Sequence, residues 1–154
     1  MKTSRTIQTI IPVFIVVIAF LTFVAKVDAA MDLNRYKWKN RLLFIFAPHD
    51  SHPLLIHLKN EASARNQEIV DRDLLIFEIL ENGSSLVDST RLENQMVRNI
   101  RQKFLVSSGQ FTVVLVGKDG GVKLRRDGQV KLDEIFSLID AMPMRREEMR
   151  QKGQ

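Results

Sequence analysis

From Arg41 onward the chain alternates short apolar runs with stretches in which apolar residues recur every three to four positions, the pattern of an α/β domain. Leu42 to Ala47, bounded by Pro48, predicts a first strand that is apolar on both faces and therefore central in a sheet covered on two sides. His49, Asp50 and Ser51 then form a polar turn, with Asp50 or Ser51 as the expected N-cap and Pro53 in the first helical turn. Leu54, Leu55, Leu58, Ala62 and Ile69 predict one helix reaching about Val70. Leu74 to Leu80 reads as the second strand, closed by Asn82-Gly83. A capping box of Thr90 and Glu93 predicts the start of the next helix, whose apolar stripe is Leu92, Met96, Val97, Ile100, Phe104 and Leu105. Phe111 to Val116 is the third strand, and Asp119-Gly120-Gly121 turns it into an edge strand, Val122 to Arg126, with Lys123 and Arg125 on a wet face. The last helix carries Leu132, Ile135, Phe136, Ile139 and Met142 and stops before Pro143. Residues 144–154 are charged and without a clear stripe, and read as a solvated tail or frayed extension.

Ahead of these elements Thr6 to Ala25 is uncharged and mostly apolar. Lys2 and Arg5, the apolar stretch Ile10 to Val24 and the small residues at Ala29 and Ala30 together predict an export signal over residues 1–29, cut after Ala29. That places the mature protein in the periplasm or outside the cell. The alternative is an uncleaved anchor over residues 7–25, close to the ~20 residues that span a bilayer, although Thr9, Pro12 and Thr22 weaken such a span. Lys26, Arg35, Lys37, Lys39 and Arg41 follow the run closely and favour its retention on the cytoplasmic side, against both readings. The 154 residues otherwise hold one domain, over residues 33–143.

Composition narrows the chemistry. The chain has no cysteine, which excludes disulfides, thiolate metal sites and every thiol mechanism. A net charge of +5, part of it in the leader, is too small to argue for nucleic acid.

The order β-α-β-α-β-β-α, with an antiparallel closing hairpin, is similar to the thioredoxin core. Phe44-Ile45-Phe46-Ala47-Pro48 resembles the strand entering the redox turn of that fold, and Phe111 to Val122 its closing hairpin. Tyr36-Lys37-Trp38-Lys39-Asn40-Arg41-Leu42-Leu43, the hairpin, and Ile139-Asp140-Ala141-Met142-Pro143-Met144-Arg145-Arg146 resemble a domain of unknown function. That family is shared by bacterial exported proteins and the extracellular equarin and sushi-repeat-containing proteins. The resemblance covers about Leu33 to Met149. It implies an extracytoplasmic, single thioredoxin-like α/β domain with a central mixed sheet of about four strands flanked by helices, and little about activity. Against redox thioredoxins, the turn that would carry Cys-x-x-Cys reads His49-Asp50-Ser51-His52, and the position of the buried proton-accepting carboxylate holds Phe44. The segment of the cis-proline reads Gly109-Gln110-Phe111-Thr112. Disulfide exchange and thiol peroxidase chemistry are excluded together.

Two readings of the polar turn remain. In the first, the turn after the first strand faces the segment leading into the third, and His49, Asp50, His52, Gln110 and Phe111 line a shallow groove for a protein or peptide. In the second, His49, Asp50, His52 and His57 ligate zinc, copper or nickel, as a metal-binding protein or metal-dependent enzyme. The plain alternative to both is a helix cap with solvated histidines. Ser51, Ser107 and Ser108 have no frame that would set one beside a histidine as a nucleophile. Glu78, in an apolar strand, is expected to reach water or a helix N-terminus. Tyr36 and Trp38, alternating with Arg35, Lys37 and Lys39, predict an extended lead-in whose aromatics pack on the core. Lys123, Arg125, Arg126, Arg145 and Arg146 read as a charged edge that blocks strand pairing, or else as a surface for anions. No cofactor and no nucleic-acid partner is expected, membrane contact only through an uncleaved leader, and the oligomeric state stays open.

Overall fold

The structure is a computed structural model, and it describes residues 33–153. The export signal over 1–29 and the alternative anchor over 7–25 lie outside the described residues. Among those residues, no helix is long and apolar enough to cross a membrane.

The elements run as β1 (Arg41–His49), α1 (Pro53–Ala64), α2 (Asn66–Asp71), β2 (Leu74–Asn82), β3 (Leu86–Val87), β4 (Thr90–Arg91), α3 (Asn94–Lys103), β5 (Thr112–Val116), β6 (Val122–Asp127), α4 (Leu132–Asp140) and α5 (Pro143–Lys152). They build one mixed sheet in the order β4-β3-β2-β1-β5-β6. β1 is parallel to β2 and antiparallel to β5. The sheet has six strands rather than about four, because β3 and β4 add a hairpin of two residues each to the β2 edge.

β1 is buried on both faces, and its alternation divides the core. Leu43, Ile45 and Ala47 pack with Leu55 and Leu58 of α1 and Leu132, Ile135, Phe136 and Ile139 of α4. Leu42, Phe44 and Phe46 pack on the opposite face with Phe77, Val97, Ile100 and Phe104. Phe44 sits within 4.7 Å of Phe77 and 4.8 Å of Phe104, ring centre to ring centre, so an aromatic cluster fills the place where a redox relative would bury a carboxylate.

Several expectations are corrected. The single helix to Val70 is two: Arg65 leaves the helix at φ −122°, ψ 30°, and its side chain is held by Glu68 and Asp133. The capping box does not form. Asp88 and Ser89 both adopt positive φ, the geometry of a tight two-residue hairpin, so Thr90 pairs with Val87 and the helix starts three residues later on an N-cap of Glu93 without a side-chain cap. The lead-in is not extended either. Leu33–Tyr36 is a short 3₁₀ turn; Tyr36 meets Phe77 edge-on, but Trp38, at φ 64°, is 67% exposed while its N–H donates to the Lys118 carbonyl. Glu78 pairs with Lys59 of α1 at 2.8 Å.

The largest correction concerns residues 144–154, where the expected tail is helix α5 over most of its length. Its stripe is charged rather than apolar, and it docks through ion pairs. Arg41, 1% exposed, donates to both carboxylate oxygens of Glu148 at 3.1 and 3.2 Å and to the Arg72 carbonyl at 2.8 Å. Lys118 bridges Glu148 at 2.7 Å and Asp73 at 2.8 Å. Arg145, buried, binds Asp71 and reaches Asp140 at 3.2 Å, while Lys152 closes on Asp71 at 2.8 Å. Under Lys152 and Arg145 the Asp71 carboxyl falls to about 2. Burial opposes ionisation of Glu148, but Arg41 and Lys118 outweigh it and leave its carboxyl below the usual range.

Candidate functional site

The carboxyl ends of β1 and β2 and the loop before β5 meet at one end of the sheet. His49, expected in the turn, is the last residue of β1 and pairs with Asn82. The chain then folds back through a His52 N–H to His49 carbonyl bond of 3.3 Å, and Pro53 opens α1. Neither Asp50 nor Ser51 caps that helix; His52 holds the N-cap position without a side-chain bond, and Ser51 Oγ lies 3.0 Å from His49 Nδ1.

The β1 turn and the β5 approach join through one contact. The His52 ring stacks on Phe111, with centroids 5.0 Å apart and planes within 9°. Phe111 belongs to the core cluster that contains Ala47 and Leu55, so the stack seats the histidine on the body of the domain. His52 Nδ1 is buried and has no hydrogen-bond partner. His49 stands beside it at 5.9 Å between ring centres, exposed together with Asp50.

The opposite wall is the loop from Leu105 to Gln110, and two residues not singled out from sequence shape it. Glu81, at the end of β2, accepts the Ser108 hydroxyl proton and the Gly109 N–H at 2.8 Å, and the two bonds hold its carboxyl below the usual range. Arg101 donates to the Ser107 carbonyl at 2.9 Å and lies 3.7 Å from Glu81. Gln110, exposed, accepts the Ser107 N–H at 3.2 Å and closes this loop on itself. Glu81 is separated from its loop partners by more than 25 residues, so no local spacing announced it. Arg101 is not among the residues of its helix's apolar stripe.

Of the five groove residues, His52 and Phe111 touch, His49 and Asp50 flank them exposed, and Gln110, also exposed, bonds within its own loop through its amide oxygen. The metal set does not assemble. His57 lies one turn along α1 and faces Glu61 at 3.7 Å, and among the described residues no three His, Asp or Glu side chains converge to hold a metal ion. The basic edge is internally engaged: Lys123 pairs with Asp119 at 2.6 Å, Arg125 binds the Phe104 carbonyl, and Arg126 pairs with Glu134 at 2.6 Å.

A family model described as Domain of unknown function (DUF4174) matches residues 32–148. Coiled-coil domain-containing protein 80 of Danio rerio is 34% identical over 133 residues, covering 76% of this chain, and the chain spans about 15% of that relative's length. Among solved structures, the reduced 2-Cys peroxiredoxin of Plasmodium vivax superposes with a TM-score of 0.55 at 15% identity, over 75% of this chain and 84% of that one. Thioredoxin peroxidase I of Plasmodium yoelii gives 0.54 at 17% identity, over 75% and 79%. These likenesses establish the thioredoxin fold, in a chain that has no cysteine.

Proposed function

The chain belongs to this domain-of-unknown-function family, and on that premise we propose that it is an exported, non-redox module that binds a protein or peptide segment between the β1 turn and the loop before β5. The observation that carries the reading is the His52–Phe111 stack, which fixes a polar, partly exposed aromatic platform between these two segments. It stands beyond the carboxyl ends of the parallel strands β1 and β2, where open α/β sheets place their ligands. Exposed His49 and Asp50 supply polar contacts beside it, and an extended segment held by backbone hydrogen bonds needs no thiol. Export rests on the leader sequence Lys2 to Ala29. Binding is the reading over metal chemistry because, among the described residues, no three His, Asp or Glu side chains gather to hold a metal ion.

The test is a displayed-peptide selection against the full chain, followed by mapping of the selected peptide by amide NMR shifts. Shifts confined to residues 47–53 and 107–112, lost in His52→Ala, are the expected outcome. Shifts centred on Lys123, Arg125 and Arg126 would move the binding surface to the β6 edge and overturn the reading.

A further inference from the structure

At the other end of β1 a second cavity lies between the β5–β6 hairpin and the corner that joins α4 to α5. Its volume is about 430 Å³, within the ~300–1,000 Å³ range of small-ligand sites. Leu138, Ala141, Met142, Pro143 and Met144 give it an apolar wall. Facing that wall are Arg41, Lys118 and Lys123, against one carboxylate, Asp119.

Two features set the charge preference, while Arg41, 1% exposed, is already matched by Glu148 and the Arg72 carbonyl. Helix α5 begins at the cavity on Met142 and Pro143 with no side chain capping its first turn, so its positive dipole end points there uncompensated. At the mouth the Lys123–Asp119 pair folds over Gly117, where a Cβ would stand 2.6 Å from Lys123 Cε and 2.8 Å from Asp119 Oδ1. That pair is part-exposed on both sides, so Lys123 can exchange Asp119 for an incoming anion at little cost. Glu148 and Asp73 pair with Arg41 and Lys118 and match their charge, which leaves Lys123 as the cation that can turn to a ligand.

We propose that this cavity binds a small amphipathic carboxylate, its head group between Lys123 and the start of α5 and its apolar chain along Leu138, Met142 and Met144. The site lies at the opposite end of β1 from the His52 platform and does not depend on the reading given for it.

The experiment is a titration of the full chain, methyl-labelled at methionine, with decanoate below its micelle-forming concentration, with decanol and decyltrimethylammonium as matched probes. Decanoate is expected to shift the Met142 and Met144 methyl signals, while Met96, on the opposite face of the sheet, stays fixed. Decanol and the ammonium should bind at least about tenfold more weakly, and Lys123→Gln should weaken decanoate by a similar factor. Met142→Trp, which fills the cavity, should abolish the shift of the remaining Met144 methyl. If it fails to fold, the Lys123→Gln and decanol comparisons still decide. Equal response to decanoate and decanol, movement of Met96 together with the others, or no movement of Met142 and Met144 would each overturn the proposal.

Discussion

His52 lies flat on Phe111, and this one contact ties the turn after β1 to the chain that enters β5. Stacking of this kind contributes about 0.5–1.5 kcal/mol beyond the burial it provides. His52→Ala is therefore expected to cost roughly 1 kcal/mol in chemical denaturation and to lose peptide binding, whereas His52→Phe should keep the stability and still lose binding, since only the ring nitrogens are removed. Retained binding in His52→Phe would show that the platform acts by shape alone.

Glu81 holds the other wall. Its carboxylate is the shared acceptor for Ser108 and Gly109, so Glu81→Ala leaves both donors to water and is expected to loosen the loop with little loss of global stability. The local sign is faster hydrogen exchange at the Gly109 amide, with the amides of β1 unchanged. Uniform acceleration across the sheet would mean that the residue supports the whole fold and not the loop.

Glu148 is the carboxylate against which Arg41 is buried. Glu148→Ala is expected to destabilise by about 3 kcal/mol, because it strands a buried cation, while Arg41→Met combined with Glu148→Leu should recover most of that loss. Urea unfolding of Arg41→Met, Glu148→Leu and the double variant closes the cycle. A double variant as unstable as Glu148→Ala would show that the pair's value lies in its bonds to Arg72 and Lys118 instead.

Asp71 makes the same end of the domain acid-sensitive. Its folded value of about 2 lies below the ordinary 3.8, so its contribution to stability is complete above the ordinary value and is lost as the pH falls toward 2. Glu148 is lowered as well and acts in the same direction. Thermal melts on descending pH should fall steeply in that window, and Asp71→Asn should be less stable at neutral pH and flatter in acid. An unchanged slope in Asp71→Asn would assign the acid loss to other carboxylates.

The parts of this fold legible in the sequence are those whose cause is local. Leu42 to Ala47 announced a central strand because every side chain there is apolar, and Asp119-Gly120 announced the hairpin because Gly120, at φ 81°, needs the positive dihedral glycine tolerates. Thr90 and Glu93 misled because the same spacing serves a capping box and a strand leaving a turn; the positive φ of Asp88 and Ser89 decided between them, and no glycine marked it. Residues 144–154 misled for the opposite reason, since a helix that docks through Arg145 and Glu148 shows no apolar stripe. At the candidate site, the facing of the β1 turn and Phe111 followed from the order of elements, but the bond of Gln110 to Ser107 and the hold of Glu81 on Ser108 depend on partners far along the chain or on loop geometry that spacing does not encode.

The Arg41–Glu148 pair also orders events in time. A ribosome delivers the cation with the first strand and its counter-charge only with the last helix, more than a hundred residues afterwards. Until then Arg41 has the Arg72 carbonyl but no carboxylate, so the last helix brings the counter-charge that lets the guanidinium be buried.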